Sequence, residues 1–150
     1  MKNREDIIAK IEKSLGKKAL SSCRPVPNRF YVSIHGKDVT QAVKLVFNEL
    51  SARYSILTGI DTPPGIEVLY HFCFDEAGLV VTLRVLLDKK DPKVDSIMPI
   101  VKGAEWIERE IHELLGVEFV GHPNMRRLIL AEDWPEGVYP LRRSYGKDGT

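Results

Sequence analysis

The sequence predicts an α+β domain of two layers, with helices on one face of a mixed sheet and an extended C-terminal arm. Three observations predict it. The elements run helix, strand, helix, three strands, helix. Two long strands in the middle alternate apolar and polar side chains. Residues 131–150 contain prolines and glycines, and their apolar residues follow neither a helical nor a strand periodicity. We therefore expect one domain over residues 1–130 and the arm over residues 131–150.

The first third of the chain predicts a helix, a loop and a strand. Residues 3–15 place isoleucines and a leucine on one stripe, and Gly16 ends the helix. Residues 21–28 include two prolines, which favours a loop. Residues 29–35 alternate in polarity, which is typical of a strand.

The middle of the chain predicts a helix, a short strand and a hairpin. A helix capped near residue 38 runs to about residue 53, and residues 55–60 form a short strand. Ile66–Phe74 and Leu79–Leu87 form two strands joined by a tight turn. The core-facing side chains of this hairpin are Ile66, Val68, Tyr70, Phe72, Phe74, Leu79, Val81, Leu83, Val85 and Leu87.

A last helix is predicted over residues 103–115, after a polar connector at 88–93. Gly116 ends it. Its apolar stripe is Ile107, Ile111, Leu114 and Leu115. The remaining faces carry an unusual density of charge, which indicates either a solvated surface with ordinary ion pairs or a surface that meets another protein.

Composition excludes several classes of function. The 22 basic and 21 acidic side chains give a net charge of +1, so no global field attracts nucleic acid or an anionic membrane. No apolar run approaches the roughly 20 residues of a membrane-spanning helix, and the N-terminus lacks a signal-peptide pattern. We therefore expect a cytoplasmic protein. Cys23 and Cys73 form no CxxC pair, which excludes a zinc knuckle or a four-thiolate cluster held by this chain alone.

Two functions other than protein binding stay open. Glu110, Glu113 and His122 could form an acid/base site of a free-standing enzyme. They do not form a zinc motif, because the second histidine that it needs would stand where Gly116 does. A nucleic-acid-binding sheet could use aromatics of the strands, such as Tyr31 and Tyr70, but these side chains fit a core better.

A Gly-His-Pro turn and two arginine pairs follow the last helix. His122 with Arg126 and Arg127 could contact acidic groups of a partner, and Arg142 and Arg143 repeat the pattern. The arm also carries aromatic side chains that a solvated tail would lack. It therefore either docks on a partner or folds back on its own domain.

These residues together resemble the NuoC-type (thirty-kilodalton) subunit family of respiratory complex I. Some details are more similar to the related subunit of membrane-bound, energy-converting NiFe hydrogenase-type complexes. The residues that carry the resemblance are Glu108-Arg109-Glu110, Glu113-Leu114-Leu115, Gly121-His122-Pro123, Arg126, Leu128-Ile129, Trp134-Pro135 and the stretch 139–143.

The resemblance implies a non-catalytic assembly subunit of an oxidoreductase complex, peripheral on the cytoplasmic side of the cell membrane. It would hold a large catalytic (NuoD-like) subunit and a small iron–sulfur (NuoB-like) subunit together. The chain would bind no cofactor or metal, and the iron–sulfur clusters and any NiFe centre would lie in the partner subunits. The electron acceptor stays open between quinone, protons and a sulfur compound.

The expected partner interface combines the last helix, the turn and the arm. It comprises Glu108, Arg109, Glu110, Glu113, His122, Pro123, Arg126, Arg127, Trp134, Tyr139, Arg142 and Arg143.

Overall fold

A computed structural model of the protein describes residues 3–147. The helices are α1 (Arg4–Leu15), α2 (Val39–Val43, continued by a π-helical segment, Lys44–Glu49) and α3 (Glu105–Leu115). The strands are β1 (Ala19–Val26), β2 (Arg29–Ile34), β3 (Arg53–Asp61), β4 (Ile66–Phe74), β5 (Leu79–Leu87), β6 (Lys93–Asp95) and β7 (Glu118–Val120). The outermost residues of the predicted domain and arm lie outside the described residues.

The main sheet has five strands in the order β1-β2-β5-β4-β3. Neighbouring strands run antiparallel except β2 and β5, which are parallel. This confirms the predicted mixed sheet. A separate pair, β6 and β7, forms a small parallel sheet that joins the chain before α3 to the chain after it.

The core lies between one face of the sheet and the helices. All the predicted core-facing side chains of the hairpin are buried, and Tyr70 and Phe72 are fully enclosed. The apolar stripe of α1 and the buried apolar residues of α2 and α3 belong to the same cluster. The opposite sheet face is only partly covered, with His71 half-buried and Leu86 exposed. The two-layer prediction is therefore confirmed.

The predicted loop at 21–28 is wrong for residues 21–26, which belong to β1, and only residues 27–28 form a turn. The strand is almost fully exposed, so it has no apolar alternation that could reveal it. The strand β1 forms through its pairing with β2, in which Ser21 lies opposite Ser33 and Cys23 lies opposite Tyr31. Pro25 lies where the register shifts at the sheet edge, a position where proline is tolerated.

Two other boundaries differ from the predictions. The second helix ends at Glu49 with its π-helical segment, and residue 53 already starts β3. The predicted connector at 88–93 runs into β6, which the sequence does not reveal because three residues are too few to show a period.

The arm has no helix or strand in its described part, and it folds back against α3. The Leu141 N–H donates to the Leu114 carbonyl at 3.0 Å. Gly116 has a positive φ of 74°, and a Cβ there would lie 2.5 Å from the Tyr139 ring. The arm therefore packs against the end of α3 through a close approach of Tyr139 to residue 116 that only glycine permits. No helix of the described chain is long and apolar enough to cross a membrane.

Candidate partner-docking site

The last helix, α3, buries three of its charged side chains: Glu108, Arg109 and Glu113. Charged groups are rarely buried unless they are paired or bonded. Each of the three side chains therefore needs a hydrogen-bond partner inside the domain, and these partners define the site.

Glu108 fastens α3 to the segment that leaves β6. Its carboxylate accepts the Ser96 hydroxyl at 2.5 Å and the Ile97 N–H at 2.8 Å. The side chain is fully buried, and this loss of solvent raises the pKa of Glu108 to about 7. Part of the population is therefore protonated at neutral pH.

Glu113 lies on the same helix and binds the backbone just before the arm. Its carboxylate accepts the N–H groups of Leu128 at 2.5 Å, Ile129 at 2.8 Å and Leu130 at 3.4 Å. Three successive amides around one buried carboxylate fix the course of the chain at this point, because each bond to a charged acceptor is stronger than a neutral one.

Arg109 binds the residues just before that segment. It donates from Nε to the Arg126 carbonyl at 2.8 Å and from Nη2 to the Arg127 carbonyl at 2.6 Å. Arg109 and Glu113 are one helical turn apart, so they share a face of α3. Together they bind the peptide groups of residues 126–130 and make no bond to the side chains of that segment.

His122 shapes the turn between β7 and the arm. Its Nε2 lies 3.0 Å from the Glu105 carbonyl, and its Nδ1 accepts the Asn124 N–H at 3.0 Å. A carbonyl can only accept and an amide can only donate, so the ring is the neutral Nε2–H tautomer. The side chain is buried and lies 4.0 Å from Glu108.

The arginine side chains after this turn differ in their partners. Arg126 is exposed and reaches Asn124 Oδ1 at 2.8 Å. Arg127 is exposed but donates to the carbonyls of Ala131 at 2.6 Å and Trp134 at 2.7 Å. Arg127 therefore closes a loop of the arm, whereas Arg126 has its charge available for an acidic partner.

A second arginine pair fastens the end of the arm. Arg142 donates to the Leu115 carbonyl at 2.5 Å and the Lys89 carbonyl at 3.2 Å, and it lies over the Tyr139 ring. The Arg143 N–H donates to Asp61 at 2.8 Å, while no described residue pairs with the Arg143 guanidinium. Asp61 also binds Lys89, so the end of β3 and the arm share one acidic anchor.

The predicted interface residues therefore separate into two groups. Glu108, Arg109, Glu113 and the His122 side chain are buried with internal partners, and Arg142 is half-buried with carbonyl partners. The more accessible members are Glu110, Pro123, Arg126, Arg127, Trp134, Tyr139 and Arg143. Contact with a partner stays a prediction for all of them; what the structure adds is that the buried group shapes the turn and the arm.

The structure does not assemble the alternative acid/base site. Glu113 binds backbone amides, His122 binds the Glu105 carbonyl, and Glu110 lies in a groove beside β3. Among the described residues, no three His, Cys, Asp or Glu side chains are grouped so that they could hold a metal ion.

The structure also argues against a nucleic-acid-binding sheet. Phe30, Tyr70 and Phe72 are buried in the core, as the sequence favoured. Tyr31 and His71 lie on the open face, and His71 is engaged by the hydroxyls of Thr58 and Thr82. No described row of exposed aromatic rings remains for stacking on bases.

Several residues of the site escaped the sequence analysis. Ser96, Asp61 and Lys89 each bind the α3 or arm region from a distant part of the chain. Nothing in their local pattern separates them from ordinary surface residues. The Asp61 turn signal indicates only that the chain reverses there.

Comparison with known proteins places this geometry in a family. A family model described as the 30 kDa subunit of the respiratory-chain NADH dehydrogenase matches residues 32–150. The C subunit of the F(420)H(2) dehydrogenase of Methanosarcina mazei is 30% identical over 146 residues, which cover 94% of this chain and 88% of that protein. The C/D subunit of the NADH-quinone oxidoreductase of Phocaeicola vulgatus is 41% identical over 92 residues, or 59% of this chain. The chain spans only 17% of the length of that relative.

A solved structure has the same fold. A chain in the structure of the membrane-bound sulfane sulfur reductase, an archaeal respiratory membrane complex, superposes with a TM-score of 0.78 at 22% identity. The match covers 93% of this chain and 84% of that chain. The resemblance seen in the sequence is thereby confirmed. The chain belongs to the family of the 30 kDa subunit of the respiratory-chain NADH dehydrogenase, whose members are subunits of complex I-like and related membrane-bound complexes.

Proposed function

We propose that the protein is a non-catalytic assembly subunit of a membrane-bound redox complex, of the complex I or NiFe hydrogenase type. It would hold the large catalytic (NuoD-like) and small iron–sulfur (NuoB-like) subunits together on the cytoplasmic side of the membrane. The observation that carries the proposal is the use of buried charge in α3. Arg109 and Glu113 bind the backbone of residues 126–130, which supports a role in which this segment is held in one fixed course against a partner.

The accessible arginines are the proposed contact points with the partners. Arg126 lies just before the arm and Arg143 lies within it, and both are exposed. A guanidinium presents a planar fork of donors that suits carboxylates better than a lysine does. The partner surfaces opposite them should therefore carry aspartate or glutamate side chains.

The combined name of one relative supports the large partner. The Phocaeicola vulgatus protein is named as a C/D subunit, and this chain matches a part of it. The joining of two subunit types in one protein implies close contact between them. By analogy, this chain would lie beside a D-type large subunit. The iron–sulfur clusters, and any NiFe centre, would belong to the partner subunits.

Charge reversal tests the proposed contact. Arg126→Glu with Arg143→Glu should reduce co-purification of the large subunit at least about tenfold, because a partner carboxylate would then face a like charge. Lys10→Glu with Lys13→Glu on the exposed face of α1 makes the same change of charge elsewhere. Equal co-purification of both double variants and the wild type would contradict the contact. Redox or hydrolytic turnover by the isolated chain would contradict the non-catalytic role.

A further inference from the structure

The strand β3 is an edge of the main sheet, and its outer side pairs with no other described strand. Its residues 54–60 carry no charge, although both ends of the strand do. The opposite edge strand, β1, contains Arg24 and Pro25. Proteins normally protect edges with charges, prolines or a covering segment, because a long uncharged edge invites another strand. The β3 edge lacks the first two protections.

A groove runs along this edge, between β3 and α3. The helix approaches closely at Gly59, where a Cβ would lie 2.6 Å from Leu115 Cδ1. The groove has a volume of about 240 Å³. Apolar side chains line it, and Ile56 and Leu141 on its rim are 47% and 57% exposed. Within the described chain, this apolar surface has no cover.

One charged side chain lies in the groove. Glu110 is half-buried there, and it has no hydrogen bond or ion pair with any described residue. The other carboxylates of α3 that are more deeply buried, Glu108 and Glu113, have two or more donors each. A carboxylate beside apolar side chains and without a donor favours a cationic group brought by a ligand.

The backbone of the edge is also available. Among the described residues, no backbone hydrogen bond connects 55–60 to α3 or to the arm. In an antiparallel sheet, alternate residues of an edge strand direct their N–H and C=O groups away from the neighbouring strand. These groups can pair with an added strand.

We propose that the β3–α3 groove binds an extended segment of a partner subunit as a sixth strand of the sheet. Alternate side chains of that segment would be apolar and fill the groove, and a lysine or arginine would face Glu110. The inference rests on the proposed function, since the occupant belongs to the complex. The groove is continuous with the proposed arm interface, because Leu141 forms part of its wall and the Arg143 N–H is bound by Asp61 at the end of β3.

Amide hydrogen exchange tests the added strand directly. It is measured on the isolated chain and on the whole purified complex that contains the chain. We expect exchange of the outward-facing amides in 55–60 to slow at least about tenfold in the complex, as new backbone bonds form. Unchanged exchange of 55–60 in the complex would overturn the proposal. Slowing in the isolated chain as its concentration rises would also overturn it, since the occupant would then be a second copy.

Two matched pairs of variants test the side chains. Glu110→Lys and Ile56→Lys should each lower retention in the complex at least about tenfold. The controls are Glu49→Lys and Leu86→Lys, which change exposed residues away from the groove and should leave retention unchanged. Thermal unfolding of each isolated variant shows whether it folds. Retention of folded Glu110→Lys and Ile56→Lys at the level of their controls would refute the groove.

The two proposals can fail separately. If the wild-type chain does not co-purify with a large subunit, the proposed function fails. If it co-purifies but 55–60 exchange as in the free chain, the function stands and the groove proposal alone fails.

Discussion

Replacement of Glu108 by glutamine should remove a pH dependence from the stability of the domain. In the folded chain, burial raises the pKa of this carboxyl to about 7 from an ordinary value of 4.5. The folded state therefore holds its proton more tightly than the unfolded state does. The stability that this proton gives is complete below about pH 4.5 and is lost as the pH rises through about 7.

The magnitude follows from the raised pKa. Each pKa unit corresponds to about 1.4 kcal/mol, so full ionisation of Glu108 should lower the unfolding free energy by about 3 kcal/mol. That is a large fraction of the roughly 5–15 kcal/mol that stabilises a typical domain. Glutamine can still accept the Ile97 N–H and donate to Ser96, so the contacts of this position survive the change.

Most neighbouring groups affect the two proteins equally. Tyr54 and Tyr70 lie near Glu108, and burial raises the pKa of both phenols above their ordinary value, so they stay neutral throughout. His71 has a lowered pKa through burial and the charge of Arg29, and because it is present in both proteins its contribution cancels in the difference. His122 is the exception, because its Nε2 lies 4.0 Å from the Glu108 carboxyl and loses that charged neighbour in Glu108→Gln.

The assay is urea unfolding of the wild type and of Glu108→Gln between pH 4.5 and 8.5. The stability of Glu108→Gln relative to the wild type should increase by about 3 kcal/mol across this range. A difference that changes by less than about 1 kcal/mol would refute the reasoning. It would mean that the carboxylate is ionised in the folded state at little cost.

Three further substitutions test how the arm and β3 are held. Glu113→Ala leaves part-buried amides without their acceptor, so residues 126–130 should lose about 1–3 kcal/mol of local protection in hydrogen exchange, and Glu113→Gln should lose less. Gly116→Ala should weaken the packing of the arm on α3 by about 1–3 kcal/mol, and Trp134 fluorescence measures its release. Tyr139→Ala in the same chain should restore part of this loss, because it removes the ring that the new Cβ would meet. Gly59→Ala should lower the unfolding free energy by about 1–3 kcal/mol through overpacking against α3, unlike Gly103→Ala, where the space is sufficient.

The fold was predictable from sequence where one face of a strand is buried. The bounds of β4 and β5 agree with the prediction because every second side chain of each strand is buried over nine residues, while most of those between are less buried. β1 could not be predicted, since nearly all its side chains face solvent and only its pairing with β2 defines it. The π-helical segment after α2 is equally invisible, because its apolar stripe is also compatible with an ordinary helix.

The candidate site was located by sequence, but its bonding was not. Spacing and family resemblance indicated residues 108–127, and α3 with the following turn lies there. The roles of Arg109 and Glu113 could not be read, because their partners are peptide groups 15–18 positions away, and every residue has such groups. Ser96 and Asp61 left no local signal either, because their partners lie at distant positions of the chain.

The hydrogen bonds that α3 makes to residues 126–130 have a consequence for how the binding specificity can change. Arg109 and Glu113 recognise carbonyls and amides of residues 126–130, which are the same whatever side chains the segment carries. Apart from Arg127, which donates to the Ala131 and Trp134 carbonyls, those side chains can therefore be exchanged without rerouting the chain. One scaffold could in this way be retargeted to differently charged neighbours by substitutions in a short stretch, while the buried helix that supports it stays the same.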